Sequence, residues 1–390
     1  MAHRNERFGQ LDTAAGKTHL PPAPVKPYDA FHPANAFGDR YRGRRVFVTG
    51  HTGFKGAWLC EWLCALGAEV TGFSRSVPTD PALFDQLGLT ERLADVRGDV
   101  RDLPEMSEAL SRSDPDYVFH LAAQSLVRAS YRDPLETWQT NVLGTAHVLE
   151  ALRRRAKPCA AVVVTTDKCY ENQDHEAGYR EDDPLGGHDP YSASKASAEL
   201  AAASWRRSFL AGSPVAVATA RAGNVIGGGD WAEDRILPDS VRALMRQAAI
   251  PVRNPDATRP WQHVLEPLSA YLALGAALCG RTGDDPLCTS FNFGPDAESH
   301  RPVRDLVDAV LAAWPGRWEI ASDAQGPHEA RLLHLDTTRA RTLLGWRPRW
   351  GFDEGVARTV RWYRDLHGCN SDPAAARKRT REDIDAYAAG

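Results

Sequence analysis

The chain has 390 residues, a charged fraction of 25% and a formal net charge of −4. This length can bury a sizeable core and predicts two domains, or one large domain with a cap. The mildly acidic balance disfavours non-specific binding to nucleic acid or membrane surfaces. The seven cysteines include no C-x-x-C pair. We therefore expect a reducing cytoplasm, no disulfide framework and no metal site.

The N-terminal residues lack the basic and then apolar pattern of a signal peptide. Residues 1–40 contain repeated prolines and few grouped apolar residues, which predicts a flexible extension ahead of the first strand. The longest helical apolar stretch, residues 268–279, is too short to cross a bilayer core of about 30 Å. It predicts a buried helix instead.

A glycine motif lies between the first predicted strand, residues 45–49, and a helical pattern over residues 57–66. Gly50 is expected to make a tight turn, Gly53 to let the backbone approach phosphates, and Gly56 to let the helix pack closely. Backbone N–H groups at such a helix start bind a pyrophosphate. The motif therefore predicts a dinucleotide site.

Short apolar strands then alternate with helices, notably a helix over residues 134–155. The further strands are predicted at residues 69–73, 94–99, 117–121, 160–165 and 214–220. This pattern predicts an α/β fold with a doubly wound, parallel Rossmann sheet in residues 41–222 and later returns near residues 262–295. Residues 223–390 are expected to form mostly a smaller substrate-binding domain, with loops at residues 223–229, 254–261 and 326–335.

Tyr191 and Lys195 are four residues apart and therefore lie on one face of a helix. An ammonium beside the phenol is expected to draw the tyrosine pKa from about 10 toward the neutral range, where a general base works best. Upstream, Thr166, Asp167 and Lys168 follow an apolar strand. Together these segments predict a site that oxidises a hydroxyl group.

The chain resembles the extended short-chain dehydrogenases/reductases and, among them, the CDP-glucose 4,6-dehydratases. The resemblance runs from about Arg44 to at least Arg349 and rests on the glycine motif, on Thr166 to Tyr170, on Tyr191 to Lys195, and on the segments at residues 120–125, 141–145, 221–231 and 259–264. Thr166-Asp167-Lys168 distinguishes this group from the related dTDP-glucose dehydratases, which carry Thr-Asp-Glu at these positions.

The resemblance implies a reaction that begins with oxidation of the sugar at C4, because a C4 ketone makes the C5 proton acidic. Tyr191 would take the 4-hydroxyl proton, Lys195 would hold the ribose and stabilise the phenolate, and Thr166 would bond the 4-oxygen. Asp167 would protonate the departing 6-hydroxyl and Lys168 would remove the C5 proton. Asp and Lys with ordinary pKa values would form an ion pair, so the two roles could be exchanged.

The implied cofactor is NAD. Its expected ligands are Gly50, Thr52, Gly53, Phe54, Gly56, Asp99, Val100, Ala122, Tyr191 and Lys195. Asp99 is expected to accept a hydrogen bond from the adenine amino group. The acidic residue usual at the end of strand two is absent, and Arg75 there would suit a 2′-phosphate, which leaves NADP as the alternative.

The implied substrate is CDP-glucose or a similar nucleotide hexose. Arg235 and Arg259 are expected to bind its two phosphates, because a guanidinium fork matches phosphate oxygens. Asn224 would bind a phosphate or sugar oxygen and Ser125 a sugar hydroxyl, while His263, His328 and Glu329 could reach the ribose or base. A homodimer or dimer of dimers is expected through the helices at residues 134–155 and 191–209.

Two other functions compete with the dehydratase. Another nucleotide-sugar enzyme on the same scaffold, such as a 4-epimerase or a decarboxylase, needs no elimination pair, so Asp167 and Lys168 count against it. A non-catalytic nucleotide-sensing or scaffold protein would not need the complete catalytic set.

Overall fold

The structure is a computed structural model that describes residue 37 and residues 39–174, 177–321, 333–367 and 372–389. Most of the predicted extension, residues 1–40, lies outside these ranges, as do His328 and Glu329. Phe37 belongs to the described part, is buried, and packs edge-on against Tyr41 and Trp62. The end of the predicted extension thus joins the core.

A parallel sheet forms the centre of the described residues. With elements numbered in chain order, its seven strands are β1 (Arg45–Thr49), β2 (Glu69–Ser74), β3 (Ala94–Arg97), β4 (Tyr117–His120), β5 (Cys159–Val164), β6 (Val215–Ala222) and β11 (Ser290–Phe293). Their order is β11-β6-β5-β4-β1-β2-β3, and every pairing is parallel. The doubly wound parallel sheet predicted from the sequence is confirmed, as is the return of Ser290–Phe293 to it.

Short strands pair outside this sheet. They are β7 (Val225–Ile226) with β10 (Gln262–His263), β9 (Thr258–Pro260) with β12 (His300–Pro302), and β8 (Ile250–Val252) with β13 (Trp318–Ile320). The predicted loops at residues 223–229 and 254–261 thus each contain a short strand.

Helices connect and cover the strands. They are α1 (Phe54–Ala65), α2 (Leu83–Gln86), α3 (Leu103–Ser113), α4 (Val127–Arg132), α5 (Pro134–Trp138), α6 (Gly144–Arg153), α7 (Pro190–Trp205), α8 (Ile236–Met245), α9 (Leu265–Leu278), α10 (Val303–Ala313), α11 (Thr338–Leu344), α12 (Phe352–Leu366) and α13 (Pro373–Ala389).

The sheet has a core on each face because successive strand residues point to opposite sides. Val46 and Val48 of β1 pack into the core that includes α1, α9 and α12. Phe47, between them, packs into the other core with α3 and α6. The apolar stretch at residues 268–279 is the buried helix predicted, α9.

The long helix predicted at residues 134–155 is interrupted. A π turn, Gln139–Leu143, separates α5 from α6, and Asn141 in this turn bonds the backbone of Gln124 and the hydroxyl of Ser194. A second π turn, Arg206–Leu210, follows α7. A wider turn inside a helix commonly redirects a side chain, and here it directs Asn141 toward the helix that carries Tyr191.

The C-terminal helix α13 packs on α1. Arg381 forms a 2.5 Å ion pair with Glu61, and Tyr387 packs edge-on against Trp62. Tyr387 also donates a hydrogen bond to the buried carboxylate of Glu266 on α9. The last described helix is therefore attached to the layer that begins with the glycine motif.

Candidate active site

The glycine motif folds as a turn between β1 and α1. Gly50 has φ +74°, and a Cβ there would lie 2.7 Å from the backbone nitrogen of Ala122. A Cβ on Gly56 would lie 2.1 Å from the carbonyl oxygen of Gly50. Both positions therefore require glycine. At Gly53 the nearest atom would be 3.4 Å away, so its predicted role depends on phosphate approach alone.

The helix start after this turn has no side-chain cap. Its backbone N–H groups are therefore available to an anion, which is the arrangement that binds a pyrophosphate. Thr52 donates a 2.8 Å hydrogen bond to the carbonyl of Ser76, and Phe54 lies beside Gly227. The predicted ligands Thr52 and Phe54 thus flank the turn.

Asp99 and Val100 lie just past the end of β3. Arg101 binds the Asp99 carboxylate at 2.6 Å, and this hydrogen bond lowers the pKa of Asp99. The carbonyl of Val100 accepts a 2.9 Å bond from His147. Arg75, the residue that raised the NADP alternative, forms a 3.0 Å ion pair with Glu136.

Thr166, Asp167 and Lys168 lie at the carboxyl end of β5, where parallel α/β sheets bind ligands. Asp167–Cys169 form a 3-10 turn that Thr166 caps, its hydroxyl accepting a 3.4 Å bond from the Lys168 backbone N–H. The Thr166 hydroxyl also donates a 3.1 Å bond to Oδ1 of Asp167. The turn therefore fixes Thr166 and Asp167 side by side.

Asp167 is only 2% exposed, and burial raises its pKa above the ordinary value. Its Oδ2 atom has no hydrogen-bond partner among the described residues. A Cβ on Gly223 would lie 2.7 Å from this oxygen, so glycine there leaves room for the carboxylate. Lys168, Lys55 and Arg259 are cations near it. Burial therefore favours the protonated form of this carboxyl more than exposure to water would.

Tyr191 lies in the first turn of α7, which Asp189 caps through a 3.0 Å bond to the Ser192 backbone. The Tyr191 side chain is buried and lies close to the Thr166 side chain. Burial raises the pKa of Tyr191 to about 12. Loss of solvation is the largest cause of this shift, and the lowering expected from Lys195 stays a prediction.

Lys195 is buried one helical turn after Tyr191. Its Nζ atom donates a 3.0 Å hydrogen bond to the carbonyl of Val164, the last residue of β5. Burial lowers the pKa of Lys195 to about 8, and Glu199 partly opposes this change. The contact joins α7 to β5, so Tyr191 and the Thr166 turn face the same space.

Two of the predicted substrate residues, Arg235 and Arg259, lie near Tyr191 and Asp167. Arg235 forms a 2.8 Å ion pair with Asp230, and its charge acts on Tyr191. The charge of Arg259 acts on Asp167. Asn224 is half-buried and Ser125 exposed.

His263 does not fit the predicted role of a ligand to the ribose or nucleobase of the substrate. Its ring is buried between Trp58 and Trp350, and burial lowers its pKa to about 3. It is a neutral packing group.

Sequence reasoning missed Lys55. Its Nζ donates a 3.4 Å bond to the hydroxyl of Tyr271 on α9, and burial with the charges of Arg235 and Lys195 lowers its pKa to about 7. Asp167 opposes this shift and is therefore nearby. The only signal was a lysine between Phe54 and Gly56, inside a motif otherwise interpreted through its glycines.

Among the described residues, no helix is both long and apolar enough to cross a membrane. No group of three His, Cys, Asp or Glu side chains in those same ranges is placed to hold a metal ion.

A Tyr-Lys helix beside a glycine turn on a parallel sheet defines the class, the extended short-chain dehydrogenases/reductases. The model of the family described as GDP-mannose 4,6 dehydratase matches residues 47–277. A CDP-glucose 4,6-dehydratase of Salmonella typhimurium is 44% identical over 83% of this chain and 91% of its own. The chain belongs to the CDP-glucose 4,6-dehydratase family.

The chain is also similar to dTDP-glucose 4,6-dehydratases. A dTDP-glucose 4,6-dehydratase of Streptomyces antibioticus is 34% identical over 75% of this chain and 80% of its own. The solved dTDP-glucose 4,6-dehydratase of Streptomyces venezuelae, with NAD bound, is 27% identical with a TM-score of 0.71, covering 83% of this chain and 98% of that one.

Proposed function

We propose that this protein converts CDP-glucose to CDP-4-keto-6-deoxyglucose, by oxidation at C4, elimination of water across C5 and C6, and reduction at C6. The observation that carries the proposal is that Thr166, which donates a 3.1 Å hydrogen bond to Asp167, also lies close to the phenol of Tyr191. A group able to act at the C4 hydroxyl and a group able to act at the C6 hydroxyl are therefore close together. The 44% identity to the Salmonella enzyme supports the cytidine nucleotide.

Five side chains carry the proposed chemistry. Tyr191 takes the proton of the C4 hydroxyl, Thr166 bonds the C4 oxygen, and Lys195 orients the cofactor ribose. Asp167 gives a proton to the departing C6 hydroxyl, a role that its burial and raised pKa support. Lys168, the next residue along the chain, removes the C5 proton once C4 is a ketone.

NAD is the proposed cofactor, and when bound it supplies a hydride acceptor for C4 and a hydride donor for C6. The glycine turn fits its pyrophosphate, because Gly50 and Gly56 leave no room for a Cβ and the start of α1 is uncapped. Gly53, Thr52, Phe54 and Ala122 would line this turn. Asp99 and Val100 would meet the adenine, and Tyr191 and Lys195 the nicotinamide ribose.

Arg235 and Arg259 are proposed to bind the substrate diphosphate, with Asn224 and Ser125 on its sugar or phosphate oxygens. Both arginines act electrostatically on the catalytic residues, Arg235 on Tyr191 and Arg259 on Asp167. A diphosphate between them would hold the attached hexose against these residues. Such placement by the non-reacting part of a substrate is a large source of catalysis.

We also propose that the protein is a homodimer, or a dimer of dimers, of the cytoplasm. The supporting observation is a set of exposed apolar side chains on α4 to α7 and the π turns beside them: Tyr131, Leu135, Trp138, Leu143, Leu200 and Phe209. Leu135 is 73% exposed and Leu200 59%. Clustered exposure of large apolar side chains marks an interface.

Incubation with CDP-, dTDP-, UDP- and GDP-hexoses, followed by mass analysis, tests the proposal. We expect loss of one water from CDP-glucose with no net redox change. An unchanged mass with inverted C4 stereochemistry would identify an epimerase instead. Dehydration of another nucleotide hexose in preference to CDP-glucose would correct the substrate and leave the reaction type in place.

A further inference from the structure

The proposed elimination pair, Asp167 and Lys168, lies in one turn over residues 166–169, which we call the elimination turn. Next to it is a buried ion pair that the proposed mechanism does not use. Glu199 on α7 and Arg221 on β6 are 2% and 3% exposed, and Nη2 of the arginine donates a 2.9 Å hydrogen bond to Oε2 of the glutamate. A buried ion pair is often no more stabilising than apolar side chains of similar volume, so its contacts are a better guide to its role.

The carboxylate of Glu199 binds the residue that precedes the elimination turn. Thr165 follows β5 directly, and its hydroxyl donates a 2.5 Å hydrogen bond to Oε1 of Glu199. The other oxygen, Oε2, accepts from Arg221 and, at 2.8 Å, from the hydroxyl of Thr219 on β6. The first end of the elimination turn is therefore attached to the ion pair.

The guanidinium of Arg221 binds the residue that follows the elimination turn. Its Nη1 atom donates hydrogen bonds to the hydroxyl of Tyr170 at 2.7 Å and to the carbonyl of Glu181 at 3.1 Å. The Tyr170 hydroxyl in turn donates a 2.7 Å bond to Oδ1 of Asn292 on β11. The guanidinium carbon of Arg221 also lies 5.0 Å from the centre of the Tyr170 ring. The second end of the turn is therefore attached to the same ion pair.

We propose that Glu199 and Arg221 position the elimination pair, an inference that rests on the proposed dehydratase function. The hydroxyl groups of Thr165 and Tyr170, one on each side of the elimination turn, are bound by the two halves of one ion pair. A short turn that is fixed at both ends leaves its side chains little freedom to move. Such support by bonded groups outside the reacting shell is what holds catalytic side chains in a productive geometry.

The groups proposed for oxidation have attachments of their own. Asp189 caps the start of α7 through a 3.0 Å bond, and Lys195 bonds the end of β5 at 3.0 Å. Neither bond involves the hydroxyl of Thr165 or Tyr170. Removing one of these hydroxyls should therefore disturb the elimination turn more than it disturbs Tyr191.

Two variants that each lose one hydroxyl test the proposal in the NAD-loaded enzyme with CDP-glucose. Tyr170→Phe and Thr165→Val each break one bond to the ion pair and leave its two charges together. We expect deuterium uptake at C5 to slow by about 10-fold to 10²-fold, because a catalytic group displaced by about 1 Å can lose that much activity. Reduced nicotinamide and 4-keto sugar should accumulate, since C4 oxidation precedes the affected step. Thr165→Ser keeps the hydroxyl and should restore the elimination rate.

Thr219→Val is the matched control. Thr219 is buried and bonds the same carboxylate as Thr165, but it lies on β6, outside the elimination turn. Its loss should lower the thermal unfolding temperature about as Thr165→Val does, while its turnover should match the parent. An ion pair that served stability alone would make the two valine variants behave alike.

Two results would overturn the positioning role and leave the dehydratase proposal standing. One is elimination in Tyr170→Phe or Thr165→Val at the rate of Thr219→Val, and the other is C4 oxidation slowed as much as elimination. A parent that yields no dehydrated product would instead reject the proposed function. Should Thr165→Val not fold, as judged by circular dichroism, Tyr170→Phe decides alone.

Discussion

Lys195 donates a 3.0 Å hydrogen bond to the carbonyl oxygen of Val164, the residue that ends β5. The bond attaches the helix carrying Tyr191 to the strand that leads into Thr166, Asp167 and Lys168. Two segments that are separated by more than twenty positions in the sequence are thereby presented to one point. In the proposed mechanism, this attachment lets Tyr191 and Asp167 act on one sugar.

Replacing Tyr191 with Phe should abolish proton removal from the C4 hydroxyl and leave the fold intact. We expect turnover to fall on the order of 10²-fold or more, because general base catalysis contributes about that much. Steady-state product formation measures the effect, with thermal unfolding as the control for folding. A correctly folded Tyr191→Phe protein of near-parent turnover would remove Tyr191 from the mechanism.

Denaturing the purified protein should release NAD rather than NADP. Arg75, the residue that would welcome a 2′-phosphate, is paired with Glu136 at 3.0 Å. Chromatography of the released nucleotide identifies the cofactor, and Arg75→Ala should retain it as the parent does. Recovery of mainly NADP, or loss of retention in Arg75→Ala alone, would make Arg75 a phosphate ligand.

Charges placed on the apolar surface of α5 and α7 should break the proposed dimer. A Leu135→Glu/Leu200→Glu double variant buries two carboxylates in an interface, which is costly without partners. We expect a monomer by light scattering. Ile320→Glu is the matched control, since Ile320 is 70% exposed at the end of β13, away from these helices, and should remain dimeric. A monomeric parent would reject the interface outright.

Glu266 should make the protein less stable as pH rises. Burial raises its pKa to about 7 from the ordinary 4.5. The folded state therefore binds a proton that the unfolded state has lost between these values, and the free energy of unfolding falls across that window. We expect Glu266→Gln to remove about 1–3 kcal/mol of this decline.

Urea unfolding of parent and Glu266→Gln at several pH values measures the difference. The amide oxygen of the glutamine, placed as Oε1 is, can still accept from the backbone N–H groups of both Arg349 and Trp350. Equal slopes in the two proteins between pH 4.5 and 7 would show that Glu266 ionises normally.

The sequence predicted the parallel sheet because each strand is a short apolar run bounded by turn residues and separated by a helix. Gly50 and Gly56 were also predictable, since a glycine motif between a strand and a helix has a steric reason. The π turn around Asn141 was not, because its local sequence is typical of an ordinary helix. The burial of Tyr191, which raises its pKa, was not predictable either, because the i, i+4 spacing gives the neighbour but not the burial.

The central claim is that oxidation at C4 and elimination at C5 are separate steps assigned to separate groups. Lys168→Ala tests it most directly, because it should remove only the C5 base. Lys157→Ala is the matched control, as Lys157 is a surface lysine paired with Asp114. The control should turn over like the parent.

The measurement is reduced nicotinamide and 4-keto sugar in the Lys168→Ala enzyme after CDP-glucose is added, with deuterium uptake at C5 followed in parallel. We predict that both species accumulate, where the parent shows little of either, and that deuterium uptake at C5 falls. Formation of the 6-deoxy product at the parent rate, with parent-like deuterium uptake, would contradict the account.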